Sequence, residues 1–215
     1  GINVEGLNFI QQAFADEGAT QCGFCTPGFI VSLAGYCVNK TNVSAVDAVN
    51  GNICRCTGYK SIERATQKIT EKINERKDED VFAFAVKNKF LPEYFLTIKE
   101  RLAIYLLQTN GRLFAKTDST KFLGGGTDLY VQQHETMVQA DIDFMFDKEH
   151  LNGIEQKGNK CVMGASVTVA DIADSPIFKK YFPYLQTYIK LVSSTQIRNM
   201  ATIAGNFMNG SPIGD

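Results

Sequence analysis

Two domains of different class are predicted for this chain: an all-α bundle of four short helices, then an α+β domain. Three observations predict them. Apolar residues in the first third recur at helical steps of three and four, with glycines where the runs stop. A continuously charged stretch, ERKDED at residues 75–80, interrupts that pattern and reads as a solvated linker or a frayed helix end. Beyond it, short strand-like runs alternate with helical ones. The boundaries drawn from these signals are a helical domain at 1–76, a linker at 77–88 and an α+β domain at 89–215.

The first helix is expected in VEGLNFIQQAFADEG, where Leu7, Ile10 and Phe14 share one stripe and Gly18 can close the turn. Thr26 as N-cap and Pro27 in the first helical position open a second helix through GFIVSLAGYCVNK. Ser44, with Asp47 three residues on, reads as a capping box for a short helix over AVDAVN that Gly51 ends. The fourth helix, SIERATQKITEKINE, sets Ile62, Ala65, Ile69 and Ile73 on its inner face. Thr97 to Glu100 reads as a capping box for a later helix ending at Asn110-Gly111. The strand candidates are KFLGG, DIDFMF, GIEQ and KCVMGAS, the last two joined by Gly158-Asn159, and DLYVQQHE, VADIAD and FPYLQTYIKLV read as helices. No internal repeat or low-complexity tract interrupts them.

Composition bounds the function. The chain has 215 residues, 44% hydrophobic and 21% charged, as an ordinary soluble globular protein has. A net charge of −1 leaves no basic field for nucleic acid. No apolar run approaches the roughly 20 residues that span a bilayer. The chain opens on Gly1 rather than Met, which reads as a truncated front. Four of the six cysteines are paired at ligand spacings, which favours metal binding in a reducing, cytoplasmic setting over a disulfide framework.

Those four lie in QCGFCTPG, residues 21–28, and GNICRCTGY, residues 51–59. Cys22 and Cys25 form C-x2-C, and Cys54 and Cys56 form C-x-C. Zinc is the rival reading, since C-x2-C is the usual first half of a four-cysteine zinc site. A single intervening residue converges less well on one ion and suits a wider two-metal core. The spacing therefore favours a [2Fe–2S] cluster over zinc, with a disulfide pair third. Gly23, Gly51 and Gly58 would let backbone N–H groups approach the sulfurs.

The second candidate is KFLGGGTDLYV, residues 121–131: a strand, a triple-glycine turn and a helix capped by Thr127. Such a turn can present N–H groups to a pyrophosphate. It is not G-x-G-x-x-G, and a tight structural turn is an equal reading. Asp128 would oppose a phosphate placed too near. The tail QIRNMATIAGNFMNGSPIGD, residues 196–215, clusters small residues and amides without hydrophobic periodicity. That pattern belongs to an irregular loop or to a segment whose space a ligand fills.

Together these motifs resemble the molybdenum hydroxylases, the superfamily of xanthine dehydrogenase, aldehyde oxidase and carbon monoxide dehydrogenase. QCGFCTPG with GNICRCTGY resembles its second iron–sulfur domain. GGGTDL with QIRN-x-A-x-I-x-GN and SPIGD resembles its flavoprotein part, a PCMH-type, CO dehydrogenase flavoprotein-like FAD domain, here cut short. The resemblance implies that Cys22, Cys25, Cys54 and Cys56 hold a [2Fe–2S] cluster. It also implies that Gln21 contacts a molybdopterin cofactor on a partner large subunit or domain. Phe122, Leu123, Gly124, Gly125, Gly126, Thr127, Asp128 and Leu129 would wrap the FAD pyrophosphate. Thr202, Gly205 and Asn206 would touch its phosphate and ribityl region, and Asp215 would accept from a flavin hydroxyl. Ala204 stands where many members have glycine, and Val192 where some place an aromatic.

Within the superfamily, an iron–sulfur domain fused ahead of a flavin domain points to xanthine dehydrogenase. The implied role is electron transfer from purine hydroxylation on the partner, through the cluster and FAD, to NAD⁺. The likeness spans almost the whole chain. It implies a ferredoxin-like domain before Gly1 and more flavin domain beyond Asp215, so residues 1–215 read as a central fragment with an incomplete electron route. A related component acting on aldehydes or N-heterocycles is the near alternative. A zinc-stabilised interaction module with a nucleotide-binding domain is the distant one.

The remaining candidates read as structural. Cys37 and Cys161 are expected as buried small hydrophobes, and His134 and His150 on solvated polar stretches. Tyr181, Phe182 and Tyr184 around Pro183 are expected to form a packing cluster.

Overall fold

The structure, a computed structural model, describes residues 2, 6–39, 44–77, 79–109 and 120–212. It divides into two compact units, Gly1–Leu113 and Phe114–Asp215.

In the first unit α1 (Phe9–Asp16), α2 (Thr26–Val38), α3 (Ala45–Ala48) and α4 (Lys60–Asn74) are followed by α5 (Val81–Lys87), a 3-10 turn at Glu93–Thr97 and α6 (Ile98–Thr109). A capping box starts α1: the Asn8 side chain accepts from the N–H groups of Ile10 and Gln11, and the Gln11 side chain accepts from Asn8 N–H. That box places Leu7 outside the helix, where it is exposed. Helix α2 starts one residue earlier than Thr26 and Pro27 implied, with Cys25 itself at the N-cap. The Thr26 hydroxyl instead shares a hydrogen bond of 2.9 Å with Thr20. Ser44 caps α3 as expected, accepting from Asp47 N–H. Thr97 makes no capping bond to α6 here; its hydroxyl donates to the Tyr94 carbonyl at 3.4 Å. The expected end of α6 at Asn110-Gly111 lies outside the described residues.

The core of this unit joins Ile10, Phe14, Phe29, Leu33, Cys37, Ile62 and Ile69 with Phe84, Ala85, Phe90 and Leu91. Phe84 and Ala85 fall in the stretch read as a linker at 77–88, and Phe90 and Leu91 at the start of the stretch assigned to the second domain, yet all four are buried in this core. Asp80 ends the charged run as an N-cap, accepting from Phe82 and Ala83 N–H, and so nucleates α5. Phe9 meets Phe84 and Phe90 edge-on, at centroid distances of 6.4 and 5.3 Å. Burying an aromatic side chain is worth about 1.5–3 kcal/mol, and the described residues of the charged run beside it need not be buried for α5 to dock.

The second unit contains all four expected strands. β1 (Lys121–Leu123) pairs parallel with β2 (Ile142–Phe144), in register Lys121↔Ile142. Parallel pairing needs a crossover, supplied by α7 (Leu129–Gln132) and α8 (His134–Gln139). The glycine loop thus sits in a short strand–helix–strand unit that the sequence did not reveal. β3 (Ile154–Lys157) and β4 (Lys160–Met163) form an antiparallel hairpin. Helices α9 (Val169–Asp174), α10 (Pro176–Tyr181), α11 (Leu185–Ile189), α12 (Thr195–Arg198) and α13 (Ile203–Asn209) complete the unit.

The tail expected to be irregular is therefore partly helical. Ser194 accepts from Ile197 N–H and Thr202 from Gly205 N–H, and each cap starts a short helix. Such helices are too short for periodicity to register. Thr202 also pairs with Thr168 in an isolated antiparallel bridge, fixing the start of α13 against the start of α9. Among the described residues of this unit, Leu123, Met137, Val167, Val169 and Ile172 form the buried apolar set.

Candidate functional site

The first unit brings the four paired cysteines together at the start of α2 and in the loop before α4. Gly23 (φ +80°) and Gly58 (φ +65°) turn these two loops through the left-handed region. Space around both glycines is open, so their role is conformational. Gly51 is not among the left-handed residues.

The sulfurs pair two and two, each pair drawing one cysteine from each motif. The Cys56 thiol donates to Cys22 Sγ at 3.5 Å, and Cys25 and Cys54 lie near enough to shift each other's thiol. Among the described residues no group of three or more His, Cys, Asp or Glu gathers on one point as a single metal ion requires. A 2 + 2 set of thiols is the donor set for two irons, each taking two sulfurs, and the residues fit a [2Fe–2S] cluster.

The pairs are electrostatically uneven. The Phe24 N–H, and then the Cys56 thiol, lower the pKa of Cys22; donating that hydrogen bond raises Cys56. Burial raises Cys25. The Thr57 hydroxyl, ahead of the Thr57 N–H, pulls Cys54 down to about 7. Cys37 lies fully buried in the core, where desolvation pushes its thiol up to about 12. It is the buried hydrophobe the sequence implied. Cys161 is not: it is exposed on β4, because the face of that short hairpin carrying it is uncovered. Gln21 is exposed beside Cys22.

In the second unit a cavity of about 890 Å³ is lined by every residue from Phe122 through Leu129 and by Thr202, Gly205 and Asn206. The structure thus gathers eleven of the expected flavin contacts; Asp215 lies outside the described residues. Among the described residues, no acceptor meets the N–H groups of Gly124, Gly125, Gly126 or Thr127. A loop of unpaired N–H groups along a cavity of this size fits a pyrophosphate-bearing cofactor such as FAD.

Several details differ from the sequence reading. Helix α7 has Asp128, not Thr127, at its N-cap, and no side chain caps it. The Asp128 carboxylate accepts from Asn209 Nδ2 at 3.3 Å, tying it to α13. Thr202 Oγ1 is buried and occupied by Gly205 N–H at 3.0 Å. A methyl at Gly125 would lie 1.7 Å from the Met200 carbonyl oxygen, so this glycine permits a backbone-to-backbone approach between the loop and the α12–α13 turn. Tyr181, Phe182 and Tyr184 are exposed rather than clustered in a core, and the Tyr181 hydroxyl accepts from Gln156.

Sequence reasoning missed Arg198. It is buried, and its guanidinium donates to the carbonyls of Val192 (2.8 Å) and Ser193 (2.6 Å) and to Thr195 Oγ1 (2.9 Å). Ser193 lines the cavity and adopts φ +50°, a left-handed conformation unusual for a residue with a Cβ. The fork of Arg198 holds that bend. The sequence signal was that Arg198 is the one basic residue in the tail at 196–215.

A four-thiol donor set in one unit and a glycine-loop cavity in the other define a chain that carries an iron–sulfur domain followed by a flavin domain. Residues 1–67 match the family described as "[2Fe-2S] binding domain", and residues 107–215 the one described as "FAD binding domain in molybdopterin dehydrogenase". The chain belongs to this latter family, which covers half its length, and the resemblance to the molybdenum hydroxylases is borne out.

Abscisic-aldehyde oxidase of Arabidopsis thaliana is 27% identical over 97% of this chain and 19% of its own length. Xanthine dehydrogenase of Emericella nidulans is 26% identical over 99% and 20%. A probable xanthine dehydrogenase component of Bacillus subtilis is 39% identical over 38% of this chain and 49% of its own. The chain spans about a fifth of the length of the first two relatives. Among the described residues no helix is long and apolar enough to cross a membrane.

Proposed function

We propose that this chain is the electron-transfer segment of a xanthine dehydrogenase-type molybdenum hydroxylase, working beside a molybdopterin-bearing partner chain or domain. Purine is the proposed substrate of that partner, NAD⁺ the final acceptor and the cytoplasm the location. The observation that carries the reading is the pairing, in one chain, of a two-plus-two thiol set with a cavity lined by a glycine loop of unpaired N–H groups. Xanthine dehydrogenases among the relatives support it.

When bound, the two groups supply one-electron exchange at the cluster and one- or two-electron exchange at the flavin. The chain's own residues ligate and orient. Cys22, Cys25, Cys54 and Cys56 would hold the irons, and the loop from Phe122 to Leu129 with Thr202, Gly205 and Asn206 would hold FAD. Gln21, exposed beside Cys22, would contact the partner's cofactor. None of these side chains acts as a general acid or base.

The test is analytical first. The chain purified after expression with iron and sulfide should be brown, with two irons, two acid-labile sulfides and one FAD. A colourless chain holding zinc would overturn the reading. The 27% identity to an aldehyde oxidase favours a second reading, in which the partner oxidises aldehydes. With the chain in complex with its molybdenum-bearing partner, bleaching of the cluster by purine supports the first reading. Bleaching by an aldehyde alone supports the second.

A further inference from the structure

A closed ring of hydrogen bonds surrounds Cys54. The Thr57 hydroxyl donates to Cys54 Sγ at 3.2 Å, and the Thr57 N–H donates to the same sulfur at 3.4 Å. The Thr57 hydroxyl oxygen accepts from Tyr59 N–H at 3.3 Å. The Tyr59 phenol oxygen in turn accepts from Cys54 N–H at 3.0 Å, which closes the ring. Tyr59 holds φ +68°, a left-handed backbone that is unfavourable for a residue with a Cβ. Such strain persists where the surroundings over-determine it, and here the ring does so.

We propose that Thr57, oriented by Tyr59, is a positioning and tuning residue of the iron–sulfur site, whose hydroxyl raises the reduction potential by donating to Cys54 Sγ. The inference rests on the iron–sulfur reading proposed for the four cysteines. Reduction adds one electron to the cluster, with no bond broken and no proton moved in the step itself. The added negative charge falls partly on the ligating sulfurs, and a hydrogen-bond donor stabilises the reduced form more than the oxidised one. Exposure decides which sulfur the protein can tune in this way. Cys22 and Cys56 are exposed, so water can supply donors to them. Cys54 is 5% exposed, so a donor removed from its sulfur is not replaced by solvent.

The test compares Thr57→Val, Thr57→Ser and Tyr59→Phe in the full chain loaded with iron and sulfide, each titrated with dithionite and redox mediators. Iron and labile sulfide are counted in every sample. Thr57→Val should lower the potential enough to change the reduced-to-oxidised ratio about tenfold at fixed ambient potential, about 59 mV for one electron. Thr57→Ser should restore the parental potential, and Tyr59→Phe should shift it in the same direction as Thr57→Val by a smaller amount. A Thr57→Val chain with full cluster content and the parental potential overturns the proposal. So does a Thr57→Ser chain displaced as far as Thr57→Val. If Thr57→Val does not assemble a cluster, Tyr59→Phe decides: a lowered potential supports the proposal, and an unchanged one overturns it. Absence of labile sulfide in the parent chain would reject the iron–sulfur reading itself.

Discussion

A single methyl group at Gly125 would meet the backbone of Met200 at 1.7 Å, a distance no side-chain rotation can relieve. Gly125→Ala should therefore destabilise the second unit by about 1–3 kcal/mol through overpacking. It should lose FAD because the loop is displaced, and thermal denaturation with flavin quantitation would show both; a stable variant with normal flavin content would contradict the packing argument. Arg198→Met is expected to cost about 1–3 kcal/mol by stripping donors from the carbonyls of Val192 and Ser193. In that variant FAD affinity should fall with the stability, since Ser193 lines the cavity. In the first unit Cys54→Ser should lose iron while Cys37→Ser keeps it, read as iron per chain. The reason is that Cys37 is sealed in the core with its thiol at about 12.

Helix α5 separates a linker from a domain element. If its aromatic face is part of the first core, Phe84→Ala should cost about 3–5 kcal/mol of that unit's stability. A chain unaffected in denaturant unfolding would return 77–88 to the status of a linker. Its N-cap makes a pH prediction as well. The N–H of Ala83, the largest influence, holds the Asp80 carboxyl below its ordinary pKa in the folded chain. A depressed folded pKa contributes stability above the unfolded value, about 3.9, and that contribution is lost as pH falls through the lower folded value. Protection of the α5 amides against exchange, taken relative to the intrinsic rate at each pH, should therefore fall on acidification through this range. The Asp80→Asn chain, whose amide still caps but does not titrate, should lack that response.

At the scale of the molecule the two units carry different ligands, and ligand linkage should report on each by itself. Saturating FAD at a concentration about a hundredfold above its Kd stabilises the bound state by about 2.7 kcal/mol. Exchange protection should then rise around the glycine loop of the second unit and not in α1–α4; cluster loading should do the reverse. What the sequence determined alone was local chemistry: the thiol spacing, the strand runs, the glycine loop, and the apolar stripe of Ile62, Ala65 and Ile69. These are short-range patterns, and a few neighbouring residues suffice to state them. The tertiary structure decided what depends on residues far apart in the chain. It paired Cys22 with Cys56 and Cys25 with Cys54. It drew α5 into a core whose other walls include Ile10, Phe14 and Leu33. It set Gly125 against Met200, and Arg198 against the bend at Ser193. No periodicity announces such contacts, because burial and close approach belong to the surfaces that meet rather than to either segment alone.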